Sequence, residues 1–196
     1  MDVHESIAHR IRALRDAKGW SLEALAERSS VSRSNISLIE RGQSSPTTVV
    51  LDRLATALGV PLASLFESAE DPELQEPSPH SSLRDQVVWQ DPISGYVRRH
   101  LSPPLWSPMQ LVEVEFPPRK RVSYDTDARD VEIHQQIWVI EGHMEISVGD
   151  GTWELETGDC LAMKLDCPMS FYNPSSQRAR YIVALCSLSN GPRSQR

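Results

Sequence analysis

The sequence predicts two units, a bundle of five short helices followed by an antiparallel β barrel or sandwich. Three observations carry this. From Ser6 to about Phe66 apolar residues return every three or four positions, which is the helical period. From about Asp85 onward they alternate at two, the strand period. Between the two lies a stretch too polar to bury.

The helical runs group as Ile7, Ile11 and Leu14; Leu22, Leu25 and Ala26; Ile36 and Ile39; Val50, Leu51, Leu54, Ala55 and Leu58; and Leu62, Leu65 and Phe66. Residues that start or stop helices separate them. Gly19 follows the first run, Ser21 and Ser32 stand as N-caps, and Gly42 as a C-cap. Pro46-Thr47 precedes the fourth run, and Gly59 with Pro61 the fifth. The segment ESAEDPELQEPSPHSSL, Glu67 to Leu83, crowds Pro, Ser and acids together and reads as a flexible linker. After it come QVVWQ, YVRRHL, MQLVEVEF, IWVIEG, HMEISVG, TWELE, CLAM, MSFYN and RYIVALCSL. Turn signals at Asp91-Pro92, Gly142, Gly149-Asp150-Gly151, Gly158-Asp159 and Asn173-Pro174 punctuate these short strands. The expected boundaries are 1–67 for the helices, 68–84 for the linker, 85–190 for the strands and 191–196 for a disordered tail.

A chain of 196 residues can bury two cores without staples. The formal net charge of −7 argues against a protein that coats nucleic acid indiscriminately. It leaves room for a sequence reader, which depends on the local field of a small docking face. No run approaches the roughly 18 apolar residues of a membrane helix, and MDVHESIAHRIRALR has no apolar core of a secretory signal. A cytoplasmic protein with no membrane partner is expected. Cys160, Cys167 and Cys186 show no zinc-pair spacing and are expected as buried thiols.

Within VSRSNISLIERGQSSP, Val31 to Pro46, the apolar residues Val31, Ile36 and Ile39 give a core only a narrow stripe. Arg33, Ser34, Asn35, Ser37 and Arg41 face something else, either water or DNA. Two short helices joined by a tight turn suit DNA, because the second helix can lie in the major groove and read base edges from its first turn. Arginine and asparagine pair bidentately with guanine and adenine edges, whereas serines suit phosphates. The segment NISLIERGQSSPT, followed by LDRLATALGVPLASLF, resembles the Cro/repressor-type (XRE-type) helix-turn-helix family. The resemblance spans residues 6–66 and implies an all-α, five-helix, lambda-repressor-like DNA-binding domain. It places base reading at Arg33, Ser34, Asn35 and Ser37 after the Ser32 cap, with Leu38 either packing on a thymine methyl or contributing nothing. Phosphate contacts fall at Ser21, Leu22 through its amide, Arg41 and Ser44. It also pairs Glu40 with an arginine of the first helix, Arg15.

The strand region resembles a cupin, a double-stranded β-helix or jelly-roll barrel, on IWVIEGHMEI and LETGDCLAMKLDCPMSFYN. In that family these segments often carry a metal on two histidines, a glutamate and a third histidine. Here the corresponding positions fall among Ala128, Arg129, Asp130 and Val131, and at Gln135 and Met169. An amide and a thioether make a poor site for zinc, iron or manganese. His134 is one residue from Gln135 and, on a strand, points to the opposite face. No metal and no cofactor are therefore expected, and no catalytic arrangement replaces them. Gln135, Ile137, Val139, Met169 and Phe171 are the expected lining of a small-molecule site, with the RRH and RKR runs as sources of a cation for a carboxylate.

Together the resemblances imply a DNA-binding transcriptional regulator, a repressor on frequency alone, not an enzyme. Its partners are double-stranded operator DNA, a small-molecule effector and a second copy of the chain. Two alternatives stand beside this: a cupin enzyme tethered to DNA, and a regulator whose cupin is a ligand-free dimerisation module.

Overall fold

The computed structural model describes residues 3–60, 62–66, 78–103, 107–124 and 132–188. Its helical part comprises α1 (Val3–Ala17), α2 (Leu22–Ser29), α3 (Arg33–Glu40) and α4 (Thr48–Leu58). The fifth expected helix is not α-helical. Leu62–Phe66 forms a single 3-10 segment of five residues, with every side chain in it buried. So short a piece cannot close enough i to i−4 bonds to repay helix nucleation, and packing holds it together with the bond that Arg10 Nε donates to the Ser64 carbonyl at 3.1 Å.

The starts and stops follow the capping chemistry. Ser21 accepts from the Ala24 amide, Ser32 from that of Asn35 and Thr47 from that of Val50. Gly59 ends α4 in the left-handed region at φ 71°. The core face is narrow and dry: Ile7, Ile11, Leu25, Ile36, Ile39, Leu51, Leu54 and Leu58 are at most 1% exposed.

The strands are β1 (Val88–Gln90), β2 (Val97–His100), β3 (Met109–Phe116), β4 (Arg121–Tyr124), β5 (Glu132–Glu141), β6 (Met144–Val148), β7 (Gly151–Leu155), β8 (Cys160–Lys164), β9 (Met169–Tyr172) and β10 (Ala179–Leu188). They do not close into a barrel. They form a six-stranded sheet in the order β1-β2-β3-β10-β5-β8 and a four-stranded sheet in the order β4-β9-β6-β7. The correction has a physical basis. Closure needs a ladder between edge strands, and the edges β1, β4, β7 and β8 are only three to five residues long. The inner faces pack on each other, and β5 alternates exposed and buried from Glu132 to Val139. At the β5–β6 turn Gly142 has φ 90°, and a Cβ there would lie 2.9 Å from the Ala179 Cα. No larger residue fits that close approach.

The two parts share one continuous apolar core. Phe66 meets Trp89 of β1 at 5.5 Å between ring centroids and His100 of β2 at 4.8 Å. Burying a Phe contributes about 1.5–3 kcal/mol, and Phe66 and Trp89 are each 1% exposed. Asp91 forms a polar clasp beside them. One carboxylate oxygen accepts from the Thr48 amide at 2.7 Å and the Thr48 hydroxyl at 3.0 Å. The other accepts from the Ser94 amide and hydroxyl, each at 2.7 Å. An anion is thus set against the first turn of α4, where the helix dipole favours it. Residues 67–77 of the expected linker and the expected tail at 191–196 lie outside the described residues.

Candidate nucleic-acid interface and interdomain cavity

The turn between α2 and α3 is set by local chemistry. Ser30 takes the left-handed conformation at φ 54°, and the buried Ser29 hydroxyl donates to the Leu25 carbonyl and accepts from the Val31 amide. Val31, Ile36 and Ile39 anchor α3. Its opposite face carries Ser32, Arg33 and Ser34 exposed, Asn35 and Ser37 half-buried, and Leu38 39% exposed. Ser21 and Arg41 are exposed and Leu22 and Ser44 half-buried. The expected DNA-facing residues thus lie along the exposed side of α3 and the ends next to it.

Behind that face sits the expected ion pair. Arg15 Nε and Nη2 donate to the two Glu40 oxygens at 2.8 Å each, and Nη1 donates to the Trp20 carbonyl at 2.8 Å. The pair is nearly enclosed, at 11% and 8% side-chain exposure, and ties the C-terminal end of α3 to α1. The hydrogen bond to Glu40 holds the Arg15 guanidinium above its ordinary pKa. Arg33 has a partner that its sequence position did not reveal, the carboxylate of Glu23 on α2. The Glu23 carboxyl is held below its ordinary range, first by its own backbone amide and also by Arg33.

The second site is a cavity of about 50 Å³ within the β unit, roofed by the helical part. Of the five expected lining residues, Gln135, Met169 and Phe171 line it. Ile137 and Val139 are fully buried further along β5 and lie outside the lining. Gln135 donates from Nε2 to the Met163 sulfur at 3.4 Å. His134 points outward, to Glu132 at 3.0 Å.

The polar lining was largely missed from sequence. Asp52 of α4 and Leu62 of the 3-10 segment form part of the wall, together with Tyr96, Arg98, Tyr124 and Tyr181. Period two in YVRRHL places Tyr96, Arg98 and His100 on one face, a signal that could have found them. Arg98 is 7% exposed, and its Nε meets no acceptor among the described residues. The Tyr96 and Tyr124 hydroxyls lie 3.1 Å apart. Burial pushes Tyr124 and Tyr181 well above the ordinary phenol range, so both stay neutral donors. Burial, reinforced by Arg98, pushes His100 down to about 3.

Gln135 and Met169 do not fit a metal, and Ala128 to Val131 lie outside the described residues. Among the described residues no three His, Cys, Asp or Glu gather. The three cysteines are unpaired, but against expectation Cys160 is exposed and the other two are only half-buried.

The helix-turn-helix family profile matches residues 11–65. An HTH-type transcriptional regulator of Sinorhizobium fredii, itself uncharacterized, is 34% identical over 71 residues, which are 36% of this chain and 92% of that one. The chain belongs to the HTH-type transcriptional regulators. Like other members of this helix-turn-helix family, it is a sequence-specific DNA-binding protein. The HTH-type transcriptional regulator SutR of Escherichia coli is 27% identical over 174 residues, 87% of this chain and 89% of the relative. The crystal structure of an HTH_3 family transcriptional regulator from Vibrio cholerae superposes with a TM-score of 0.72 at 23% identity, over 95% of this chain and 98% of that one. The whole arrangement of helix-turn-helix domain and two-sheet unit thus recurs as a fold. Among the described residues no helix is long and apolar enough to cross a membrane.

Proposed function

We propose that this regulator is ligand-responsive: the α3 face reads an operator, and the two-sheet unit senses a small molecule and joins two copies of the chain. The observation that carries the reading is the cavity whose wall is built from both parts, with Asp52 and Leu62 from the helical side. A ligand there touches the body that holds the reading helix, so differential binding to the docked and undocked arrangements shifts DNA affinity. Sensing thus passes through a packed joint, where the sequence had suggested a flexible linker. Two half-sites about 34 Å apart call for two reading helices on one symmetry axis. Trp138, 52% exposed on the outer face of the six-stranded sheet, supports that sheet as the contact between copies.

In this proposal the side chains divide by task. Arg33, Ser34, Asn35 and Ser37 read bases, Leu38 packs on a thymine methyl, and Ser21, Leu22, Arg41 and Ser44 hold phosphates. The protein acts as a repressor with no enzymatic step. The test is a thermal-shift screen of small metabolites, followed by titration of each binder into a labelled-operator assay. At least one binder is expected to change operator affinity. If every molecule that binds leaves that affinity unchanged, the sensor reading fails and a plain dimerisation module replaces it.

A further inference from the structure

We propose that the cavity takes a small organic acid, its carboxylate held by Arg98 and its apolar tail by Val114, Leu165, Met169 and Phe171, and that an acid too large for the cavity at rest moves α4. This deepens the sensor reading and rests on it. A buried guanidinium with an unmet donor is costly, and a carboxylate is the planar partner its donors fit. Arg98 is buried in the wall with its Nε donor unmet among the described residues. The Tyr96 and Tyr124 hydroxyls and the Gln135 amide stand around the same space. The remaining wall is aliphatic and aromatic, which favours an organic tail over a fully polar inorganic oxyanion.

Size directs the effect toward α4. At about 10–15 Å³ per water-sized group, the cavity of about 50 Å³ holds a ligand of about three to five such groups. Anything larger must move a wall. Strand ladders fix the β walls, whereas Asp52 and Leu62 belong to the docked helical part.

Propionate, propionamide and sulfate, titrated calorimetrically into the full chain at one ionic strength, form the test. Propionate is expected to bind at least about tenfold more tightly than propionamide, the worth of a charge-assisted pair, and more tightly than sulfate. Arg98→Gln should lose that preference. Should Arg98→Gln fail to fold, the acid and amide pair on the wild type decides. Absence of propionate binding, equal affinity for acid and amide, or tighter sulfate overturns the site. Hexanoate, too large for the cavity at rest, should speed exchange of the Thr48 amide proton; unchanged exchange with hexanoate bound overturns the link to α4. Other small molecules that alter operator affinity, with no acid preference, leave the sensor reading standing without this site. Propionate bound on Arg98 with operator affinity unmoved does the reverse.

Discussion

Replacing Arg15 or Glu40 with alanine strips one partner from a pair that fixes the reading helix. Two 2.8 Å bonds join the side chains, and neither is more than 11% exposed. An exposed pair contributes about 0–1 kcal/mol, whereas removing one partner of a buried pair costs about 3–5 kcal/mol. The residual exposure puts each single substitution at the lower end, about 3 kcal/mol. With the two parts sharing one core, that lowers Tm by roughly 6–12 °C. Arg15→Ala should be the worse of the two, because the Trp20 carbonyl also loses its donor. Chemical denaturation of both single variants and the double variant closes a cycle, with a coupling of about 2 kcal/mol expected. DNA affinity, read by fluorescence anisotropy, should fall by a similar factor on all sequences, because the helix is misplaced and no base contact is deleted. Single-variant costs under about 1 kcal/mol, or a loss confined to particular base pairs, would refute the reasoning.

Other outcomes follow from the joint between the two parts. Asp91→Ala should expose the Thr48 amide to rapid hydrogen exchange while the interior amides of β10 stay protected; unchanged Thr48 exchange would contradict the clasp. Burial would raise the Asp91 carboxyl, but the bonds from Thr48 and Ser94 outweigh it and hold the group below its ordinary range. Its stabilisation is therefore present above the unfolded carboxylate range and lost only as pH falls through the lowered native value. His100 works at milder acidity. Lowered to about 3 in the native state, against about 6.5 when unfolded, it stays neutral while the unfolded chain takes up a proton. Stability should be full above about pH 6.5 and fall from there toward pH 3. His100→Leu should flatten that part of a Tm-against-pH curve, and a slope unaltered by it counts against the assignment.

Some of this was legible in the sequence, and the reasons differ by element. The caps at Ser21 and Ser32 and the Arg15–Glu40 pair could be read because local spacing or family pattern defines them. That Gln135 and His134 turn to opposite faces follows from period two, and that Gln135 is the inward one follows from the cupin resemblance. Barrel closure was not legible, because alternation gives each strand its faces but does not say whether short edges meet. The fifth helix failed because apolar spacing over five residues fits a 3-10 turn as well. The Thr48–Asp91 clasp joins residues 43 apart, and local reading shows in Asp91 only part of a turn. Arg98 stood in view as part of RRH, but its burial depends on β3, β10 and the roof from α4.

The most direct measurement is selection of bound duplexes from a random pool by the full chain and by Arg33→Ala, at moderate ionic strength. The wild type should enrich a two-fold-related motif with half-site centres about 34 Å apart. Arg33→Ala should keep that motif but lose preference at one or two base pairs in each half-site. No enrichment by the wild type, or the same motif at full strength from both proteins, would contradict the placement of the α3 face on DNA.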